Sequence, residues 1–200
     1  VTKYHISLLF AKPLLTVPNN LASVALIQTD NPAASETSST NPIYELNQAI
    51  HDNRLSSFKK YLAACEDINE QDKDGNTPLH LAVRLGNLIM VKSLLLKGAN
   101  VGLGDKDGNT PLHCAVLENK LEIAKLLLKH IVKVGEIKDK DGKVVSPKDL
   151  INLPNDLGLT ALHLAVYEGN LEMVKSLLKK GANVWLVDKD GNTPLRCAAL

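Results

Sequence analysis

Asp72 to His80 reads DKDGNTPLH, Asp105 to His113 reads DKDGNTPLH again, and Asp188 to Arg196 reads DKDGNTPLR. A weaker copy runs from Asp156 to His163 as DLGLTALH. The threonines of the four copies stand at 77, 110, 160 and 193, so the intervals are 33, 50 and 33 residues, and the long one holds an insertion of 17. Self-similarity at such a period marks a stack of repeated units rather than one globular core. After the copies the same apolar rhythm returns: Leu88, Val91, Leu94 and Leu95; Leu121, Ala124, Leu127 and Leu128; Leu171, Val174, Leu177 and Leu178. Spacings of three and four place each set on one face of a helix.

The punctuation between these runs fixes each unit as turn, helix, turn, helix. Thr77, Thr110, Thr160 and Thr193 have hydroxyls that can cap a helix, and in three copies the next residue is Pro, which is pre-organised for the first helical turn. Asn53, Gly86, Asn119 and Gly169 share one register position and are the residue types that adopt a left-handed backbone most cheaply, so the first helix ends there. Gly98 and Gly181 stand where a left-handed C-terminal cap closes the second helix. The DKDG segments supply the tight reversal.

These residues resemble the ankyrin repeats, whose signature is T-P-L-H-x-A in a period of 33. It stands here as TPLHLA from Thr77, TPLHCA from Thr110, TALHLA from Thr160 and TPLRCA from Thr193, with GNLIMVKSLLLKGANV and GNLEMVKSLLKKGANV matching the family's second helix and exit. The resemblance implies an all-α solenoid of stacked helix-turn-helix units with short finger loops, about five repeats, the last incomplete. The boundaries expected are a cap at 43–71, repeats at 72–104, 105–154 and 155–187, and a partial repeat at 188–200. The cap lacks the signature but keeps Leu46, Ala49, Leu55, Phe58 and Leu62 one period ahead of Leu79, Ala82, Leu88, Val91 and Leu95. In the third repeat Ile131 replaces the glycine, so the helix is expected to run on towards a cap at Gly135. An Asp-Gly pair between short apolar-polar segments then predicts a small hairpin, and SPKDLI a single helical turn capped by Ser146. The insertion is expected to project from one edge, and both a binding role and a tolerated ornament are open for it.

Composition excludes several function classes. Twenty-three basic residues face 22 acidic ones, a formal net charge of +1, so no overall field draws in nucleic acid. Aromatic content is 4%, which leaves the core to Leu, Val, Ile and Ala and suits thin helical layers. Cys65, Cys114 and Cys197 lack metal-ligand spacing and read as reduced thiols of an intracellular protein. The alternating oxygens of Asp72, Asp74 and Asn76 imitate a calcium loop, but Gly75 and Val83 stand where that loop needs other residues. His113 and Cys114 are sequence neighbours and so diverge on a helix instead of forming a dyad. The resemblance implies instead that His80, His113 and His163 tie adjacent turns together. No zinc-hydrolase, serine-hydrolase or phosphate-loop pattern occurs in the chain. The reading is therefore no catalytic residue, no metal and no cofactor.

What is left is surface. By resemblance, recognition falls to the finger residues beside each turn glycine and to two positions at the end of each first helix, on the family's concave face. These are Lys73, Asp74, Asn76, Arg84 and Leu85; Lys106, Asp107, Asn109, Leu117 and Glu118; and Asp156, Leu157, Leu159, Tyr167 and Glu168, with Lys189, Asp190 and Asn192 on the last finger. Arg84 and Tyr167 are the expected anchors. The competing reading of Leu85 and Leu117 is half-burial between neighbouring helices.

Residues 1–42 differ in kind. QTDNPAASETSSTNP lacks large apolar side chains and reads as a disordered linker. Residues 1–27 sketch a weak signal peptide, but no run approaches the length of a membrane span. The expectation is a monomeric scaffold or adaptor that binds another protein, without nucleic acid or a stable membrane span. It is placed in the cytoplasm; secretion, or delivery into a host cell as an effector, is the alternative. A regulatory segment of a larger enzyme or channel is the alternative function. Leu95→Asp, which buries an unpaired charge, should unfold the stack, while Tyr167→Ala should leave urea denaturation nearly unchanged; equal losses would overturn the division into core and surface.

Overall fold

The computed structural model describes residues 41–138 and 144–199. Expectations for residues 1–40, for the hairpin tip at 139–143 and for Leu200 lie outside the described residues. The elements are α1 (Pro42–His51), α2 (Leu55–Ala64), α3 (Pro78–Leu85), α4 (Leu88–Leu96), α5 (Pro111–Leu117), α6 (Leu121–Lys133), β1 (Ile137–Lys138), β2 (Val144–Val145), α7 (Pro147–Ile151), α8 (Ala161–Tyr167), α9 (Leu171–Lys179) and α10 (Pro194–Ala198). The fold is a helical solenoid of two layers. First helices α1, α3, α5, α8 and α10 pack each on the next, and second helices α2, α4, α6 and α9 form the parallel layer behind them. The periodic residues fill the space between: Leu46, Phe58, Leu79, Met90, Leu94, Leu127, Leu164, Met173 and Leu177 are all buried.

Each turn is made by the residue types that can make it. Asn53, Gly86, Asn119 and Gly169 all have positive φ and end their first helices. In the fingers, the Asp72 carboxylate accepts N–H bonds from Asp74 and Asn76 at 2.9 and 2.8 Å. Gly75 follows with φ +75°, and a Cβ there would sit 2.6 Å from the Lys106 nitrogen of the next finger. Glycine is required twice over, by conformation and by close approach.

Stacking is locked by one recurring assembly. The Thr77 N–H donates to Nδ1 of His80 at 3.1 Å, so that nitrogen is an acceptor and carries no proton. The remaining nitrogen, Nε2, is therefore the donor, and it reaches the Asn109 carbonyl of the next finger at 2.9 Å. Thr110 and His113 repeat this towards the Leu159 carbonyl, and Thr160 and His163 towards that of Asn192, both at 3.0 Å. Each histidine thus caps its own helix and bolts the following finger.

The insertion departs from expectation in two respects. The cap after α6 falls on Val134 in an extended conformation, and Gly135 is not left-handed, because the chain turns directly into β1. Nor does the whole insertion project. β1 and β2 pair antiparallel, Ile137 with Val145, and Val145, Leu150 and Ile151 are buried. α7, capped by Ser146 at 3.2 Å from the Asp149 nitrogen, packs on α6. Gly102 of the preceding repeat has no side chain to obstruct Leu150 and Ile137, which crowd it at about 3 Å from where a Cβ would stand. Burial of three aliphatic side chains outweighs leaving the segment in water.

Burial holds the imidazoles of His80 and His113 down at about 4, against an ordinary 6.5. Above pH 6.5 neither the folded nor the unfolded chain carries these protons. Between pH 6.5 and 4 the unfolded chain binds them and the folded chain does not, so stability should fall as pH falls through that window. The loss is at most about 3 kcal/mol for each of the two histidines. Urea midpoints followed by circular dichroism from pH 7 to 4.5 test this; a flat profile would contradict the neutral bolt.

Candidate interaction face

The fingers are joined by main-chain bonds. Lys106 N–H donates to the Asp74 carbonyl at 3.1 Å, Asp156 N–H to that of Asp107 at 3.0 Å, and Lys189 N–H to that of Leu157 at 3.1 Å. This ribbon fixes the tip side chains in a row: Lys73 and Asp74, Lys106 and Asp107, Asp156 and Leu157, Lys189 and Asp190. Lys106 and Asp74 join across two tips at 2.9 Å, an exposed pair of small energetic weight. Leu157, 39% exposed, is the apolar exception among these charged tips.

A second row runs along the ends of the first helices. Arg84, Leu117 and Tyr167 are register equivalents, as are Leu85, Glu118 and Glu168. Leu85, Glu118 and Glu168 are exposed, while Leu117 and Tyr167 are half-buried. Leu117 packs in part against the core, so the competing reading describes it in part; the rest of its side chain stays accessible. Partial burial, followed by the neighbouring Glu168 carboxylate, raises the pKa of the Tyr167 hydroxyl and keeps it protonated.

Four residues expected on this face belong to the architecture instead. Asn76, Asn109 and Leu159 are 6, 2 and 5% exposed. The amide of Asn76 bonds the Asp72 carboxylate, and Asn109 Oδ1 accepts from Asn155 at 2.9 Å. Leu159 lies under the finger whose carbonyl takes the His113 bond. These positions stand beside the turn glycine in sequence, but the side chain there points into the stack.

Arg84 is the fourth correction. Its guanidinium lies 2.6 Å from the Asp105 carboxylate, whose side chain is only 3% exposed. Asp105 also accepts N–H bonds from Asp107 and Asn109 at 3.0 and 2.9 Å. A carboxylate so enclosed needs its counter-charge, and Arg84 is therefore a partner of the finger rather than a free anchor. In the finger of the fourth repeat Asn155 takes the same position, accepts from Leu157 and Leu159 at 3.0 Å, and needs no arginine; Leu117 occupies the slot of Arg84. The column Asp72, Asp105, Asn155, Asp188 was visible in the sequence, but its coupling to the column of Arg84 was not.

The buried polar groups are engaged in structural contacts. Both ring nitrogens of His113 are engaged, and burial pushes the Cys114 thiol up to about 11, far from a reactive thiolate at neutral pH. The oxygens of Asp72, Asp105 and Asp188 accept their own loops' N–H groups. Among the described residues no group of three His, Cys, Asp or Glu could hold a metal ion, and no helix is long and apolar enough to cross a membrane.

Residues 46–141 match a family model described as ankyrin repeats in three copies, and residues 162–200 one described as ankyrin repeats in many copies. Among curated proteins the chain is similar to mouse Rabankyrin-5, at 32% identity over 89 residues, covering 44% of this chain and 8% of that one. It is also similar to mouse Ankyrin repeat domain-containing protein 13D, at 42% over 62 residues, and to human Ankyrin repeat domain-containing protein 13B, at 42% over 60. Each of these two matches covers 30% of this chain and 10% of the other. The chain thus spans no more than a tenth of the curated relatives it matches.

The geometry of Arg84 and Asp105 yields a double-mutant cycle. Arg84→Ala strands a buried carboxylate and should cost about 2 kcal/mol in urea unfolding. Asp105→Asn in the same background should recover most of that, since an asparagine already serves at 155. Additive losses in the two variants would show that the pair is not coupled.

Proposed function

The chain belongs to the ankyrin-repeat family, and on that premise we propose that it is a non-catalytic scaffold or adaptor that binds another protein through the finger tips and first-helix ends. Ankyrin repeats are protein-interaction modules, and the chain's own layout supports assigning this face. Its stacking positions repeat from unit to unit, whereas outward positions differ, as in Leu117 and Tyr167. The observation that carries the reading is that row, where half-accessible Leu117 and Tyr167 stand beside exposed Leu85 and Leu157 on a ribbon fixed by main-chain bonds. A surface ordered in advance loses little conformational entropy when a partner docks. The contact set proposed is Lys73, Asp74, Leu85, Lys106, Asp107, Leu117, Glu118, Asp156, Leu157, Tyr167 and Glu168, with Leu117 and Tyr167 as anchors. The small share of its relatives that the chain spans leaves room for a second reading, in which the same face serves a larger protein as a regulatory segment.

Photo-crosslinking tests the face. A benzophenone side chain at 167 should capture a partner in cell extract, and one at exposed Lys92 on α4 should not. Tyr167→Ala should weaken the captured complex by roughly 2 kcal/mol or more while the urea midpoint moves little. Adducts formed from 92 alone would move the site to the second-helix layer.

A further inference from the structure

The interaction face has a charge pattern that the whole chain's balance conceals. Glu118, Asp156 and Glu168 are exposed and adjoin Leu117, Leu157 and Tyr167 in sequence, and exposed Asp107 lies on the neighbouring finger, its carbonyl accepting the Asp156 N–H. Two cations of this face are held by acids. The Arg84 guanidinium is held by Asp105 at 2.6 Å, and the Lys106 ammonium by Asp74 at 2.9 Å. Lys189, on the next finger, marks where the acidic stretch ends. Glu118 and Glu168 are one repeat apart, each at the C-cap of its first helix.

That arrangement sets the chemistry and the spacing of what fits it. Apolar side chains surrounded by carboxylates attract an apolar group flanked by cations and repel an acidic one. Packed helices lie about 8–10 Å apart, and a polyproline II segment has three residues per turn and rises about 3.1 Å per residue. Side chains three apart on such a segment share one face and therefore meet equivalent positions of successive repeats. We infer that the partner docks as a protein segment in the polyproline II conformation with Lys or Arg at two positions three apart, facing Glu118 and Glu168, and an aromatic or aliphatic residue between them seated on Leu117 and Tyr167. This rests on the face proposed above and adds the identity of its ligand class.

Selection from random displayed peptides of about twelve residues, long enough to cross several repeats, tests it on the full chain. The expected peptides carry the two basic residues at that spacing around an apolar one. Their affinity should fall about tenfold or more for Glu118→Lys/Glu168→Lys, and should weaken with added salt. Glu118→Gln/Glu168→Gln should show a smaller loss in the same direction, which keeps the test decisive if the charge reversal disturbs folding. Peptides that need Tyr167 but bind both charge variants like the parent would overturn the basic ligand and leave the face standing. A selection that yields nothing sensitive to Leu117→Ala/Tyr167→Ala would overturn the face as well.

Discussion

The neutral histidine in three of the four finger-helix junctions is the bond on which the stack depends. Its Nδ1 must accept the N–H of the threonine three residues earlier, which leaves only Nε2 to donate, and Nε2 finds a carbonyl in the following unit. One side chain therefore satisfies a helix terminus that would otherwise have an orphan donor, and also sets the distance to its neighbour. Because the ring is buried, either bond lost leaves a polar group stranded away from water. Threonine before it, followed by proline at Thr77 and Thr110, narrows the backbone to the conformation in which this geometry closes.

Once units are bolted at that distance, other residues follow. Fingers come close enough for main-chain bonds between tips, and Gly75 and Gly108 are needed because a Cβ would strike the next finger. The carboxylate that organises a finger is drawn inward by its own loop's N–H groups. At Asp105 that burial demands a counter-ion, which Arg84 supplies, whereas Asn155 meets the same hydrogen bonds without charge. The position on α5 opposite Asn155 is thereby released from an arginine and can carry Leu117. A structural economy inside the finger thus shapes what the outer face offers.

The stack also explains how a balanced chain can present an unbalanced surface. Lysine and glutamate near each other on the second helices pair locally, as Lys125 with Glu122 and Lys175 with Glu172. Over the fingers of the third and fourth repeats and the ends of α5 and α8, Arg84 and Lys106 are taken up by Asp105 and Asp74 while Asp107, Glu118, Asp156 and Glu168 remain exposed. Net charge sums these regions and loses the difference between them.

Repeat count, helix boundaries, capping threonines and left-handed breaks at Asn53, Gly86, Asn119 and Gly169 were legible in the sequence, because each rests on the conformational preference of one residue or on a period along the chain. Residues 46, 49 and 58 could likewise be placed in the core from register alone. Tertiary structure decided what depends on a neighbour in space. Asn76, Asn109 and Leu159 turn inward because the next finger covers them, Arg84 is spent on a carboxylate 21 residues away, and the ends of the insertion are drawn under α6 because Gly102 leaves room for Leu150 and Ile137. A linear pattern specifies which face of its own element a residue occupies, but the burial of that face and the charge opposite it are properties of two repeats together.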